Sequence, residues 1–227
     1  PCPNHPGILV TGEHMKQIAV LASGRGSNFQ AIIDAIADNT LPARCCGLVT
    51  DNPDAYAIIR ANEAGIPVFI VDFSAYPSKE TYERALLEVL KDLSADLYIL
   101  AGYMRIVGPA IIRELEGKII NIHPALLPSF PGLHAQRQAI EYGVKVSGCT
   151  VHFVDEGMDT GPIILQAAVP VLEGDDEDQL AGRILEEEHR CLPKAARLYC
   201  EGRLTIRGTR VLIRPEEDNS PDGREIP

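Results

Sequence analysis

Several common chemistries are missing from this 227-residue chain. Its six cysteines, Cys2, Cys45, Cys46, Cys149, Cys191 and Cys200, form no CxxC pair and no Cys/His grouping at zinc spacing, so no metal is expected. Cys45 and Cys46 lie within an apolar run, where a thiol is a small hydrophobe, and a reduced, cytoplasmic setting is expected. No apolar run approaches the roughly 18 residues that a membrane-spanning helix needs. Ile8-Leu9-Val10 is too short for the apolar centre of a signal peptide. Basic residues are in deficit. With 21 Lys and Arg against 32 Asp and Glu, the net charge of −11 disfavours a broad footprint on a nucleic-acid backbone. No Gly-Lys-Ser/Thr follows the glycine-rich turn, which excludes a phosphate-loop NTPase, and no serine or cysteine occupies a nucleophile elbow, which disfavours covalent acyl transfer.

What is present reads as an α/β protein. Residues 1–14 show no periodicity and are set aside as an N-terminal extension or expression remnant. Short, continuous apolar runs then alternate with segments of helical apolar spacing, the pattern of strands covered on both faces by helices. Strands are predicted over 17–23, 43–50, 67–71, 97–101 and 119–123. Helices fall between them: one marked by Phe29, Ile32, Ile33 and Ile36, one over 56–64, one capped by Ser78, and one opened by Gly108-Pro109. Five strands with four intervening helices imply a Rossmann-like, mostly parallel twisted sheet. After His123 the rhythm breaks. A proline-rich loop to His134, a short helix over 135–142, strands over 145–154 and 162–170 and a polar turn between them predict some antiparallel pairing. A long helix then runs from Asp175 to about Gly202, bent or broken at Pro193, and a small hairpin follows over 204–213. The expected organisation is one domain over 15–213, with halves at about 15–118 and 119–213, and a flexible tail over 214–227.

Two stretches carry candidate chemistry. In Gly24-Arg25-Gly26-Ser27-Asn28, with Ser27 as N-cap, free N–H groups at a helix start offer a single-phosphate site; the competing account is a tight turn. A dinucleotide fingerprint would place glycine or alanine at Phe29, although Asp51 could serve as its ribose acid. In Ile119-Ile120-Asn121-Ile122-His123, strand alternation puts Asn121 and His123 on one face, at the carboxyl end where open α/β sheets place ligands. An amide and an imidazole suit a carbonyl oxygen that becomes an oxyanion while a proton moves. A carboxylate should support the histidine, and the turn 155–161 offers Asp155, Glu156 and Asp159. Spacing does not choose among the three.

The five segments Gly24 to Asn28, Ala101 to Arg105, Asn121 to Pro128, Pro131 to His134 and His152 to Pro162, in this order, make the chain similar to the folate-dependent phosphoribosylglycinamide formyltransferases. The resemblance runs from about Lys16 to Arg207. It implies the formyltransferase fold and transfer of the formyl group of 10-formyltetrahydrofolate to glycinamide ribonucleotide in purine biosynthesis. It implies Asn121, His123 and Asp159 as the catalytic trio, with Asp159 keeping His123 charged. For the ribonucleotide it implies Gly26, Ser27, Asn28, Pro124 and Glu188. For the folate it implies Lys79, Met104, Arg105, Ile106 and Val107, together with Asn121, Val154, Asp155, Glu156, Gly157, Met158 and Asp159. His152 reads as a hydrogen-bonded strand residue, and His134 as a loop support. Ser129 and Gln136 stand where relatives often carry basic or imidazole side chains.

Small-molecule substrates, no nucleic-acid or membrane partner, and a monomer or homodimer complete the expectation. Three other readings are weighed against it. A methionyl-tRNA formyltransferase would need basic surface and a further C-terminal domain, but the chain is acidic and ends soon after the hairpin. A formyltetrahydrofolate hydrolase would need an N-terminal regulatory domain, for which 14 residues leave no room. A nicotinamide-dependent oxidoreductase would rest on Gly24, Gly26 and Asp51.

Overall fold

Strand alternation in the first apolar run determines how the molecule is layered. The computed structural model describes residues 15–216. Residues 1–14, and 217–227 of the expected tail, lie outside the described residues. In β1 (Lys16–Leu21), Ile18 and Val20 enter one hydrophobic cluster while Ala19 and Leu21 enter the other. Both faces of this strand are therefore covered, which is why its sequence is apolar without interruption. The first cluster receives Phe29, Ile32 and Ala35 of α1 (Ser27–Ala37), Ala57 and Ala61 of α2 (Ala57–Glu63), and the inner face of the final long helix. The second receives Tyr82, Leu86 and Leu90 of α3 (Lys79–Leu93), and Ile111 and Ile112 of the short α4 (Pro109–Glu114).

The remaining strands are β2 (Ala43–Thr50), β3 (Val68–Ile70), β4 (Leu97–Leu100), β5 (Ile119–His123), β6 (Val146–Phe153), β7 (Ile163–Pro170), β8 (Leu204–Arg207) and β9 (Arg210–Ile213). They form one nine-stranded sheet in the order β3-β2-β1-β4-β5-β6-β7-β9-β8. The first five strands pair in parallel, and β5–β6, β6–β7 and β8–β9 are antiparallel. The predicted mostly parallel sheet with antiparallel pairing in the second half is what the structure contains. Chain order reverses between β1 and β4, the switch point at whose carboxyl ends open α/β sheets place their ligands. Between β5 and β6 lie the 124–134 loop and α5 (Ala135–Tyr142).

Two local expectations need correction, and the first residues of the expected tail make contacts. Ser27 is the first residue of α1; the N-cap is Gly26, in a left-handed conformation (φ 67°). A Cβ at Gly26 would lie 2.8 Å from Ala57 Cβ, so both the turn and the close approach of α2 require glycine. The long helix, α6 (Glu177–Cys200), continues through Pro193. A proline in a helix interior costs about 3 kcal/mol. Burying one leucine or isoleucine returns about 1.5–3 kcal/mol, and Leu180, Ile184, Leu192 and Leu198 are all buried along this helix, which outweighs the lost hydrogen bond. The start of the expected tail is tied down: Arg214 N donates to Arg203 O at 2.9 Å, and Glu216 pairs with Arg197 and Arg203 at 3.3 and 3.1 Å.

Two glycine substitutions should have opposite signs in urea unfolding. A Cβ at Gly148 would fall on the Ala167 carbonyl oxygen of the paired strand, and no side-chain rotation relieves that clash. Gly148→Ala should destabilise by about 1–3 kcal/mol. Gly182 lies within α6 with open space around the Cβ position, so Gly182→Ala should stabilise by about 0.5–1 kcal/mol.

Candidate active site

Asn121 and His123 leave β5 on one face, and the antiparallel partner sets what meets them. Asn121 stands opposite His152 in the β5–β6 register, and its Nδ2 lies 3.2 Å from His152 Nε2. His152 Nδ1 lies 2.8 Å from the Phe153 carbonyl, which can only accept, so the proton sits on Nδ1 and Nε2 accepts from Asn121. His123 has the opposite tautomer. Its Nε2 donates to the Phe130 carbonyl at 2.8 Å, and its Nδ1 lies 3.5 Å from Asp159 Oδ2. Asp159 Oδ1 is 3.6 Å from His152 Nε2, and Gly132 N–H donates to Oδ2 at 2.8 Å. One carboxylate therefore joins both histidines and the 124–134 loop.

The turn 155–161 separates the three candidate acids by geometry. Asp155 closes the turn itself, with Oδ1 accepting from Gly157 N at 3.1 Å and Thr160 Oγ1 at 2.7 Å. Glu156 faces outward and pairs with Arg113 at 3.2 Å, both side chains being exposed. Asp159 alone turns inward, from a left-handed backbone (φ 55°) that aspartate tolerates better than most residues. The loop opposite is held by Thr150, whose Oγ1 accepts from Leu127 N–H at 3.0 Å and donates to Ala125 O at 2.7 Å.

Burial is the strongest influence on the His123 imidazole and pushes its pKa below the ordinary value. The Phe130 carbonyl and Asp159 oppose it without prevailing, Asp159 acting in the direction expected of a carboxylate that supports the charged form. Burial also acts on Asp159, in the raising direction. The two histidines and the Gly132 N–H outweigh it and hold the carboxyl below the usual range.

The glycine turn lies across β4 from the His123 end of β5. No side chain caps α1, so its first N–H groups are left for an outside acceptor. Asn28 Nδ2 donates to Glu188 Oε2 of α6 at 2.7 Å, and Asn28 Oδ1 is buried without a partner. Burial pushes the Glu188 carboxyl up, partly countered by Asn28. Pro124 turns the chain out of β5.

The expected folate segment is anchored at its start by Met104 N–H, which donates to Ser23 Oγ at 2.8 Å. Met104 and Ile106 are exposed apolar side chains at this rim, as is Met158, whereas Val107 is turned into the core. Arg105 Nε donates to Asp51 Oδ2 at 2.7 Å, with its guanidinium 4.1 Å from the Phe73 ring centroid. Asp51 is buried under this pair. Lys79 pairs with Glu83 at 3.4 Å, and Glu83 packs against Gly108 at the end of the segment. Val154 is half-buried, and its N–H donates to Ile119 O at 2.9 Å.

Sequence reasoning missed His152 as a partner of Asn121 and Asp159. The signal was its parity with Thr150 on a strand, but only the register identifies Asn121 as its neighbour. Gly132 and Phe130 were missed because their contacts are made by backbone atoms.

A family model described as Formyl transferase matches residues 16–196. The phosphoribosylglycinamide formyltransferase of Escherichia coli (strain K12) is 43% identical over 189 residues, which cover 83% of this chain and 89% of that protein. The chain belongs to the phosphoribosylglycinamide formyltransferase family. Its fold follows a solved member, the glycinamide ribonucleotide transformylase 1 from Symbiobacterium toebii, with 53% identity, a TM-score of 0.88 and coverage of 91% of this chain and 98% of that one. The family also matches part of a larger protein. The trifunctional purine biosynthetic protein adenosine-3 of Drosophila melanogaster is 46% identical over 196 residues, 86% of this chain, while the chain spans 14% of that protein's length. No helix among the described residues is long and apolar enough to cross a membrane.

The histidine–aspartate pair gives a titration prediction. By NMR, His123 should take up its second proton below pH 6.5, and Asp159→Asn should move that titration further down by removing one of the opposing pulls. An upward shift would show that Asp159 does not support the cation. The sign for stability follows: with the folded pKa below the unfolded one, the unfolded chain binds more protons as pH falls through this window. His123 therefore makes the fold less stable in the acid direction.

Proposed function

We propose that this enzyme transfers the formyl group of 10-formyltetrahydrofolate to the primary amine of 5-phosphoribosylglycinamide. The products are formylglycinamide ribonucleotide and tetrahydrofolate, in de novo purine biosynthesis. The observation that carries the reading is the Asn121–His152–Asp159–His123 network at the end of β5, across β4 from an uncapped helix start. The first is suited to a reacting carbonyl and the second to a phosphate.

In this reading the amine nitrogen attacks the formyl carbon, and the carbonyl oxygen becomes an oxyanion. The remaining N–H of the Asn121 amide and the His123 Nε2–H are the donors for that oxygen, the latter exchanging the Phe130 carbonyl for it. Collapse breaks the bond from carbon to the folate nitrogen, and the proton lost by the amine is delivered to that nitrogen. In transit that proton is taken up by His123, and Asp159 assists by stabilising the imidazolium so formed. Gly26, Ser27, Asn28, Pro124 and Glu188 serve the ribonucleotide. Lys79, the 104–107 segment and the 154–159 turn serve the folate. Each ligand thus draws on both halves of the sheet. No metal takes part, the enzyme acts in the cytoplasm as a monomer or homodimer, and it has no nucleic-acid or membrane partner.

The alternative donor-sharing reactions differ in the acceptor, either initiator methionyl-tRNA or water. The chain's net charge of −11 argues against the tRNA. The nicotinamide reading is weakened because Asp51, its ribose acid, is buried and engaged by Arg105.

Purified protein should deformylate a 10-formyl folate only when glycinamide ribonucleotide is supplied. Turnover with methionyl-tRNA, or with water alone, would overturn the choice of acceptor. His123→Ala and Asp159→Asn should each lower kcat by about 10²–10⁴-fold, with ribonucleotide binding retained in calorimetry. Wild-type rates in both variants would show that the trio is misassigned.

A further inference from the structure

Arg60, on the last turn of α2, is assigned no part in the proposed transfer, yet it is attached to the phosphate turn. Its Nε donates to the Arg25 carbonyl at 2.8 Å and its Nη1 to Gln30 Oε1 at 3.0 Å. Its Cδ lies 3.6 Å from where a Cβ on Gly26 would stand. The other carbonyl of the turn is also held by α2, because Ala57 N–H donates to Gly24 O at 3.0 Å. These two bonds fix more than two oxygens. A peptide unit is planar and trans, so its C=O and the following N–H point in opposite directions. Holding the Arg25 carbonyl against α2 turns the Gly26 N–H away from α2, toward the uncapped start of α1.

Arg60 is half-buried, and no carboxylate pairs with it among the described residues. Two of its five N–H groups are used, which leaves three. Its charge is felt at α6: after burial, Arg60 is the next influence lowering the pKa of His189, the neighbour of Glu188. Cation-π contact with Tyr56, at 5.1 Å from the ring centroid, also holds the guanidinium. In a chain of net charge −11, with the Glu188 carboxylate facing the same turn through Asn28, a phosphate needs a local positive source.

We infer that Arg60 is a positioning residue for acceptor binding, which orients the Gly26 N–H and supplies fixed positive charge to the phosphate group of the ribonucleotide. The inference rests on the ribonucleotide reading above. A merely structural arginine would affect all substrates alike, whereas this one acts through the phosphate.

The test compares wild type with Arg60→Ala, Arg60→Gln and Arg60→Lys, using glycinamide ribonucleotide and its dephosphorylated riboside as acceptors. Losing charge-assisted hydrogen bonding should raise the ribonucleotide KM about ten- to a hundredfold in the Ala and Gln variants. Their kcat and folate KM should stay near wild type, and kcat/KM for the riboside should not change. Arg60→Lys, which keeps the charge without the fork, should fall between. Equal losses with both acceptors, or an unchanged ribonucleotide KM, would overturn the inference. Calorimetric binding of ribose 5-phosphate provides a readout that does not depend on turnover. If wild type fails to formylate the ribonucleotide, the choice of acceptor is wrong. Arg60 is then judged by binding alone: weaker ribose 5-phosphate binding in Arg60→Gln sustains its phosphate role, and equal binding ends it.

Discussion

The Asp159 carboxylate is the point on which the site's geometry depends. It is a largely buried anion, 14% exposed at the side chain, and desolvation alone would favour its neutral form. What keeps it ionised is drawn from separate parts of the chain: the Gly132 N–H of the intervening loop donates to it directly, and the His123 and His152 rings of β5 and β6 attract it when they carry a second proton. Each partner is in turn placed by the carboxylate. A charge that must be satisfied by three segments at once fixes their relative positions more tightly than apolar contact would, because a misplaced donor leaves a buried charge unpaired.

The sheet makes that convergence possible through one change of direction. The parallel half, β3 to β5, sends its carboxyl ends to one edge, where the glycine turn after β1 and the His123 end of β5 lie near each other across β4. Had β6 also been parallel, its amino-terminal end would face away from this edge. The antiparallel return instead brings Asn121 and His152 into direct opposition. The α6 helix then closes the other side by delivering Glu188 to Asn28.

Much of this was legible in the residues, and the limits are physical. Uninterrupted apolar runs identified the strands because both faces are covered, and alternation alone put Asn121 and His123 together. Spacing could not choose among Asp155, Glu156 and Asp159, and the choice of Asp159 came from the family resemblance. In a seven-residue turn, side-chain direction follows backbone dihedrals, and the decisive one is the left-handed φ of Asp159. His152 looked like an ordinary strand residue because register is a property of two strands. Pro193 suggested a break because local propensity says nothing of the buried leucines that outweigh it. Ser27 was favoured as a cap on side-chain grounds, but packing against Ala57 gave that place to Gly26. Its having no side chain is what leaves the helix start uncapped.

The lowered pKa of His123 looks at first like an argument against a charged catalytic donor, but the timing of charge resolves the conflict. In the proposed transfer, the substrate carbonyl is neutral before attack, so a permanent imidazolium in this buried place would bear a desolvation cost that the Phe130 carbonyl and Asp159 offset only in part. Once the tetrahedral carbon forms, negative charge appears on the oxygen, and an imidazolium beside it is one half of a pair. Burial then strengthens the attraction it had opposed, because the same low dielectric acts on both. A donor whose charge is disfavoured before attack and favoured during it binds the transition state more tightly than the ground state, which is the condition for acceleration. Asp159 sets how far the two situations differ: 3.5 Å from Nδ1 and shared with His152 and Gly132, it supports the cation without cancelling the cost of burial.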